Sequence, residues 1–259
     1  MNSDSLLPFD WRLPPGVHAA FTTRVGGVSV APWDSFNVAA HVGDAPASVA
    51  ANRARLKELL TLPAEPRWLN QVHGVTVSNL DAPATIDPVT ADAAIASAPG
   101  QVCVVMVADC LPVLFVSRDG QRVAAAHAGW RGLSAGVLEQ TVAALAVPGR
   151  ELSAWLGPAI SKENFEVGEE VRAALVDADQ SAAAAFAPNA HGRWQADLAG
   201  LTRRRLAAMG VTDVSGGEWC TFADRERFFS HRRDGHLHAG NGGRMAALIW
   251  RDSSPPSER

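Results

Sequence analysis

Two continuous apolar runs near the middle of the chain place the strongest limit on how it can fold. Residues 102–107 and 113–116 contain no charged, amide or hydroxyl side chain, and only one short segment separates them. Apolar runs of this length without alternation are typical of strands whose two faces are both buried. A sheet that is covered on both faces needs further layers packed against it. The sequence therefore predicts a layered α/β protein.

The rest of the chain shows short strand and helix patterns in mixed order. Further strands are predicted at residues 17–23, 68–72, 75–80, 122–127, 154–156, 211–214 and 245–250. Helices are predicted after Asp44, which can act as an N-cap, after Gly132, and at 169–178 and 198–209. Gly210 stands where a left-handed C-terminal cap is expected. We expect one domain over residues 1–259, with mixed sheets, helices outside them, and frayed ends at the N-terminus and at 253–259.

The charge balance and the cysteine content argue against several classes of protein. The 259 residues carry 23 basic and 27 acidic side chains, a net charge of −4, which gives no basic footprint for nucleic acid or an anionic membrane. The longest apolar run is too short to span a bilayer, and residues 1–10 lack the features of a secretory signal. Three cysteines without a CxxC motif suit a reducing compartment. We therefore expect a cytoplasmic protein that binds neither nucleic acid nor membrane.

Three short segments place chemically capable side chains at the ends of apolar stretches. His73 follows the first stretch, Asp109 and Cys110 follow the second, and His127 ends the third. Polar residues at the ends of buried strands are where α/β enzymes tend to place their sites. The glycines that follow the two histidines permit sharp turns and a close approach of a ligand.

Two interpretations of these residues stay open at this point. Together, His73, Cys110 and His127 predict a zinc site with three protein ligands and a free position, the pattern of catalytic rather than structural zinc. Alternatively, Cys110 is a nucleophile, His127 is its base, and Asp109 or Asn70 orients the base. Taken singly, each residue is more often a buried or hydrogen-bonded side chain. A zinc-stabilised binding protein would instead need a closed site with four ligands.

Arginines near glycine-rich turns are candidates for binding an anion such as phosphate. Arg24 precedes a Gly-Gly turn, and Arg131 begins a predicted helix. Near the C-terminus, Arg232 and Arg233 follow two phenylalanines that are expected to anchor their loop. These two arginines point either into a cleft or into water. The nearby pair of His236 and His238 is interpreted as incidental.

Read together, the segments carry a family resemblance. The motifs are NQVHG at 70–74, ADCLPV at 108–113 and AHAGWRG at 126–132, supported by TTR at 22–24, GGVS at 26–29, HVGD at 41–44, WLGPAI at 155–160, FEVG at 165–168 and CT at 220–221. In combination they resemble the YfiH family, also called the laccase-domain or polyphenol oxidase family and the peptidoglycan editing factor family. The resemblance runs from about Thr22 to Trp250. The sequence departs from the family's pattern at Lys162, at His231 and in the longer stretch 236–241.

The resemblance implies a fold, a metal and an activity. The fold is a single α/β domain of layered mixed sheets flanked by helices, similar to the cysteine-hydrolase-like fold of cytotoxic necrotising factor deamidases. The metal ligands are His73, Cys110 and His127, usually with zinc. Family members phosphorolyse adenosine, inosine and methylthioadenosine to a free base and a sugar 1-phosphate, and also deaminate adenosine. The alternative function is an amide or peptide hydrolase that edits peptidoglycan precursors with the same site.

The resemblance also implies residue roles and partners. The expected partners are a small nucleoside and phosphate, and the expected state is a monomer or a weak homo-oligomer. The catalytic candidates are Asp109, Cys110 and His127. The candidates for substrate binding are Arg24, Asn37, Asn70, Gln71, Arg131, Ser230, Arg232 and Arg233.

The residue types in the chain argue against oxidase chemistry and are compatible with deamination and phosphorolysis. A multicopper oxidase needs many imidazole ligands, mostly in HxH pairs, whereas the chain has 8 histidines and one such pair, so zinc is favoured over copper and laccase chemistry is not expected. Water on zinc is a suitable nucleophile for deamination. Asp109 is then the candidate proton shuttle, unless strand alternation turns it away to cap a turn. Phosphorolysis needs an anion pocket, and Trp130 or Phe229 could stack on the base.

Overall fold

The computed structural model describes residues 3–8, 10–83, 88–234 and 242–253. The first two residues, the tail beyond residue 253, and the pair of His236 and His238 therefore lie outside the described residues, and the predictions made for them stay predictions. Within the described ranges, no helix is both long and apolar enough to cross a membrane.

The described residues form fourteen short strands, six α-helices and three 3₁₀ helices. The strands are β1 (Val17–Phe21), β2 (Leu69–Asn70), β3 (Val77–Asn79), β4 (Val89–Thr90), β5 (Ala93–Ala96), β6 (Val102–Val107), β7 (Leu111–Ser117), β8 (Val123–Ala128), β9 (Leu152–Leu156), β10 (Glu166–Val167), β11 (Phe186–Pro188), β12 (Trp194–Ala196), β13 (Asp213–Gly216) and β14 (Met245–Arg251). The α-helices are α1 (Pro46–Leu59), α2 (Trp130–Ala135), α3 (Val137–Leu145), α4 (Glu169–Val176), α5 (Leu198–Ala208) and α6 (His231–Asp234). Short 3₁₀ helices cover Ser3–Ser5, Gly149–Glu151 and Gln180–Ala185.

The strands form mixed sheets, as predicted. A six-stranded sheet has the order β13-β9-β7-β8-β5-β3, with parallel pairs at both edges and antiparallel pairs between them. An antiparallel sheet has the order β1-β14-β6. Two smaller sheets, β10-β12-β11 and β2-β4, lie outside these two. The mixture arises because some connections are tight hairpins, such as that from β7 to β8, whereas parallel neighbours need longer crossovers.

The two large sheets pack face to face between outer helices. Alternate residues of β7 face opposite ways: Val113 and Phe115 pack with α2 to α5, and Leu114 packs toward the three-stranded sheet. In β6, Val105 faces the six-stranded sheet, whereas Val104 packs with α1 and the loop before it. Both strands are therefore buried on both faces, which confirms the prediction made from their apolar runs.

Two local predictions are wrong in instructive ways. Asp44 does not cap α1: the N-cap is Ala45, and the Asp44 carboxylate accepts hydrogen bonds from Ser29 and Asn37 instead. The helix expected after Gly132 is two helices, α2 and α3, which separate at Gly136, whose φ of 101° is left-handed. Gly210 has the predicted left-handed backbone, with a φ of 81°.

Candidate metal centre

The site forms where several strand ends meet at one edge of the six-stranded sheet. In the antiparallel register Leu111 lies opposite Ala128, so the start of β7 adjoins the end of β8. On the other side of β8, Ala93 lies opposite Ala126, which brings the start of β5 to the same edge. Because β3 runs parallel to β5, the loop that precedes β3 reaches this edge as well. Sheet register therefore brings the segments that carry His73, Cys110 and His127 to the same edge.

The three side chains form a compact ligand set. Sγ of Cys110 lies 3.8 Å from Nε2 of His73, and the ligand atoms of all three residues lie within 4.8 Å of one another. Zinc bonds to nitrogen and sulfur of about 2.0–2.3 Å place tetrahedral ligand atoms about 3.3–3.8 Å apart. The set therefore fits zinc with a small closing movement. Within the described ranges it is the one cluster of three or more such residues that could hold a metal ion.

Asp92 organises this ligand set, and the sequence analysis did not identify it. Its buried carboxylate accepts a hydrogen bond from Nδ1 of His127 at 2.9 Å. It also accepts the backbone N–H groups of Val72, His73 and Gly74. One carboxylate thus fixes the ring of one ligand and the loop of another. Because Nδ1 of His127 is occupied, its Nε2 is the nitrogen left for a metal.

Burial and mutual charge set the ionisation of this cluster. Burial raises the pKa of the Cys110 thiol, but the charge and hydrogen bonds of His127 and His73 outweigh it and lower the pKa to about 6. Burial lowers the pKa of His127, but Cys110 and Asp92 outweigh it and raise the pKa to about 9. For Asp92, burial raises the pKa, while the hydrogen bonds from His127 and the backbone lower it by more. Without metal, Cys110 and His127 thus form a thiolate–imidazolium pair near neutral pH.

The backbone around the ligands is shaped for close approach. His73 and Asp109 have left-handed φ values of 60° and 81°, which cost energy for residues with a Cβ and often occur at functional sites. Gly129 is required for space: a Cβ there would lie 2.8 Å from Sγ of Cys110 and 3.0 Å from Cδ2 of His73. A side chain at position 129 would therefore displace two ligands.

Asp109 points away from the ligand set into a buried network. Its carboxylate accepts hydrogen bonds from the hydroxyl groups of Thr221 at 2.6 Å and Ser230 at 2.9 Å. It also accepts the backbone N–H of Arg232 at 2.6 Å. These bonds attach α6 to the loop that carries Cys110. They favour the prediction that Asp109 turns away and caps a turn over the prediction that it carries protons to and from the substrate.

Two cavities meet at the ligand set. The larger, about 330 Å³, has an apolar and aromatic wall and two arginines. Trp130 and Phe165 supply the aromatic surface, while Arg131 stacks over the Trp130 ring at 4.4 Å. Arg232 lines the same cavity and donates to the carbonyl of Glu166. A volume of this size lies in the range of small-molecule pockets.

The smaller cavity, about 120 Å³, has a polar and cationic wall. It is lined by His41, Gln71, Met106, His231 and Arg244, together with the ligand set. The side-chain amide of Gln71 both donates to and accepts from the Met106 backbone, so this predicted substrate residue is engaged by the strand beside it. Arg244 was not identified from the sequence, because a single arginine before a strand carries no motif of its own.

The remaining predicted substrate residues contact the chain itself. Arg24 pairs with Asp34 at 3.1 Å and lies over the Phe229 ring. Asn70 donates to the hydroxyl of Thr90. The other three bond within the chain as follows: Asn37 with Ala39, Asp44 and the Arg244 backbone, Ser230 with Asp109, and Arg233 with Asp234 and the carbonyls of Thr221, Phe222 and Phe228. Of the two neighbouring arginines, Arg232 thus lines the larger cavity, whereas the Arg233 side chain stabilises the loop of residues 221–228 through hydrogen bonds to its carbonyls.

The fold and the site define a class: a layered α/β protein with a His–Cys–His group that could hold a metal ion. The family model described as multi-copper polyphenol oxidoreductase laccase matches residues 18–252. The chain therefore belongs to this family, and the predicted YfiH resemblance is confirmed by relatives that carry that name.

Curated relatives extend over nearly the whole chain. A protein of Pseudomonas aeruginosa named purine nucleoside phosphorylase is 54% identical over 93% of this chain and 96% of its own length. The Escherichia coli protein named purine nucleoside phosphorylase YfiH is 51% identical over the same shares of the two chains. A crystal structure from Neisseria meningitidis has 45% identity and a TM-score of 0.88, and the match covers 96% of this chain and 99% of that one.

Proposed function

We propose that the protein is a zinc-dependent purine nucleoside phosphorylase acting on adenosine, inosine and methylthioadenosine. The observation that carries this proposal is the meeting of two unlike cavities at one metal ligand set: an aromatic cavity sized for a nucleoside and a cationic cavity sized for a small ion. Relatives named purine nucleoside phosphorylase, at 45% to 54% identity, support the same activity.

The aromatic cavity suits the nucleoside. The Trp130 ring, which carries Arg131 over it, offers an aromatic surface against which a purine can stack, and Phe165 and Ile160 add apolar lining to the same cavity. Arg131 and Arg232 lie where they can donate to ribose or base oxygens and nitrogens. Stacking holds the base flat, so that the sugar extends toward Cys110 and the histidines.

Phosphorolysis exchanges one bond at the anomeric carbon for another. A phosphate oxygen bonds to that carbon as the bond to the base nitrogen breaks, and the electron pair leaves with the base. The base then takes up the proton carried by the phosphate monoanion, giving free base and sugar 1-phosphate. Zinc held by His73, Cys110 and His127 would supply Lewis acidity at the reacting oxygens. Cationic donors around the site stabilise the anionic nucleophile.

Asp92 and Asp109 position the site in this proposal. Asp92 holds His127 in one tautomer and fixes the His73 loop, so that both ligands face the same point. Asp109 anchors α6, which carries Arg232 on the wall of the nucleoside cavity. We also propose adenosine deamination at this site, because the ligand set leaves a coordination position open for water.

The test is product analysis with zinc-loaded protein and adenosine, with phosphate either present or omitted. The proposal expects adenine and ribose 1-phosphate only when phosphate is present, and inosine in both conditions. Cys110→Ser should lose both activities, whereas Cys220→Ser, a half-buried thiol remote in sequence from the ligands, should keep them. If saturating phosphate yields inosine but no adenine, the protein is a deaminase and not a phosphorylase. Release of neither product would contradict a nucleoside enzyme.

A further inference from the structure

We propose that Arg244, together with His41, forms the binding subsite for inorganic phosphate in the smaller cavity. This inference rests on the proposed phosphorolysis and deepens it, because it separates the anion from the nucleoside in space. The sequence pointed to other arginines for this role, namely Arg24, Arg131, Arg232 and Arg233. Arg244 is a better candidate because it lines the cavity that adjoins the ligand set, and among the described residues only Nη1 of its guanidinium is hydrogen-bonded.

The hydrogen bonds of Arg244 leave a particular edge of its guanidinium open. Nη1 donates to the carbonyls of Gly242 and Gly243, at 2.6 and 3.1 Å. Among the described residues, Nε and Nη2 have no acceptor, and no carboxylate forms an ion pair with Arg244. Nε and Nη2 together form a fork that matches two oxygens of a phosphate. The carbonyl bonds at Nη1 hold that fork in one orientation.

A buried polar network fixes the backbone that carries this arginine. Oδ1 of Asn37, which has no exposed surface, accepts the Arg244 N–H at 3.0 Å. The Asn37 amide donates to Asp44, and the Asn52 amide donates to the Asn37 carbonyl. The network also holds the loop that leads to His41. Asn37, predicted to bind substrate, is thus placed to act through Arg244 as a positioning residue.

The charges around the smaller cavity favour an anion. Two guanidinium groups act on His41: burial lowers the pKa of its imidazole, and the positive charges of Arg244 and Arg53 lower it further. For Arg244, burial lowers the pKa, and the nearest opposing charges are those of Cys110, Asp109 and Asp234. Two of these are already engaged, since Asp109 is bonded to α6 and Asp234 is paired with Arg233. The Cys110 thiolate would be neutralised by a bound metal.

The volumes of the two cavities also favour phosphate in the smaller one and the nucleoside in the larger one. The cavity of about 120 Å³ is below the usual range of small-molecule pockets, about 300–1,000 Å³, but holds a small ion with its waters. The neighbouring cavity of about 330 Å³ is within that range. Both are lined by His73 and Cys110. Phosphate on Arg244 would therefore meet the sugar of a nucleoside at the metal ligand set.

The experiment measures binding of inorganic phosphate alone and, separately, phosphorolysis. Zinc-loaded wild-type protein, Arg244→Met, Arg244→Lys, Arg131→Met and the surface control Arg118→Met are titrated with phosphate in a calorimeter. Loss of the charged fork should weaken phosphate binding about tenfold to hundredfold in Arg244→Met, and the lysine variant should fall between. Arg131→Met and Arg118→Met should bind phosphate as the wild type does. In turnover, Arg244→Lys should raise the KM for phosphate and leave the KM for nucleoside within about twofold.

The outcomes separate this inference from the proposed function. Wild-type affinity for phosphate in Arg244→Met overturns the subsite even if phosphorolysis occurs. The subsite is also overturned if Arg131→Met loses phosphate binding while Arg244→Lys keeps wild-type affinity. This second comparison still decides the question if Arg244→Met fails to fold. Phosphate binding that depends on Arg244, in a protein without phosphorolysis, supports the subsite and refutes the proposed function.

Discussion

Oδ1 of Asp92 lies 2.9 Å from Nδ1 of His127, and the same carboxylate holds the backbone of His73. One buried side chain therefore orients two of the three residues that could hold a metal, and it is not a member of that set itself. The third ligand, Cys110, is placed by the register of β7 against β8. The geometry of the centre thus comes from a carboxylate and from sheet pairing, both of which are rigid.

Asp92→Asn should weaken zinc binding about tenfold to hundredfold, because the amide cannot hold both the His127 ring and the His73 loop. The measurement is a competition titration with a chromogenic chelator. Asp81→Asn is the matched control, since Asp81 also accepts backbone N–H groups, from Ser97 and Ala98, at a strand end. Equal zinc affinity in the two variants would show that the Asp92 carboxylate does not orient the centre.

The metal-free protein should show an unusual pH dependence at Cys110. Because the pKa of this thiol is lowered to about 6, iodoacetamide should modify it with a midpoint near pH 6 rather than near 9. His127→Gln should move the midpoint upward. Mass mapping distinguishes Cys110 from Cys103, whose pKa is raised by burial. An unshifted midpoint in His127→Gln would mean that the imidazole does not stabilise the thiolate.

Zinc should protect Cys110 from the same reagent. A thiolate bound to metal is committed to it, so alkylation should be slow until a chelator removes the zinc. Activity should disappear with chelation and return with zinc. Rapid modification of Cys110 in the zinc-loaded enzyme, with full activity in chelator, would support the alternative of a nucleophilic cysteine.

The paired charges of Cys110 and His127 also make the stability of the metal-free protein depend on pH. Folding lowers the thiol pKa to about 6, so the stabilisation by the thiolate is lost as the pH falls through that value. Folding raises the His127 pKa to about 9, so the stabilisation by the imidazolium is lost as the pH rises through that value. The melting temperature should therefore be highest between these values. Cys110→Ser should flatten the profile, and an unchanged profile would contradict the pair.

The three residues that could hold a metal were found from sequence because each lies at the end of a recognisable apolar stretch, and the two histidines are followed by glycines. Asp92 could not, since one acid among alanines has no distinctive spacing, and its role depends on β5 lying beside β8. Arg244 was missed for the same reason: its cavity forms only when the start of β14 meets the loop after Asn37. Gly136 divides the predicted helix because its left-handed backbone interrupts a continuous apolar pattern. Local patterns thus fixed the elements, and long-range register fixed the supporting residues.

Asp109→Asn should act on position rather than on proton transfer. The amide keeps one acceptor oxygen, so its NH2 group must face either the Thr221 hydroxyl or the donors of Ser230 and Arg232, which weakens the network that attaches α6. We expect a higher KM for nucleoside, faster proteolysis after residue 230, and an unchanged shape of the pH–rate profile. Loss of one limb of that profile, with normal proteolytic resistance, would instead identify Asp109 as the proton shuttle.

Trp130→Leu should raise the KM for nucleoside about tenfold or more, because stacking of a base on an aromatic ring contributes roughly 1–3 kcal/mol. Trp194→Leu is the matched control, since Trp194 also carries an arginine over its ring, 4.4 Å from Arg172. Steady-state kinetics with inosine at saturating phosphate give the comparison. A similar rise in both variants would point to general destabilisation.

The most direct test of the account is the zinc content and phosphate-dependent adenine release of one purified sample, compared with the variant that carries both His73→Ala and Cys110→Ser. The account predicts about one zinc per chain in the wild type, adenine and ribose 1-phosphate formed in equal amounts, and loss of both metal and products in the double variant. A double variant that retains zinc, or one that releases adenine at the wild-type rate without it, would contradict the metal centre proposed for this site.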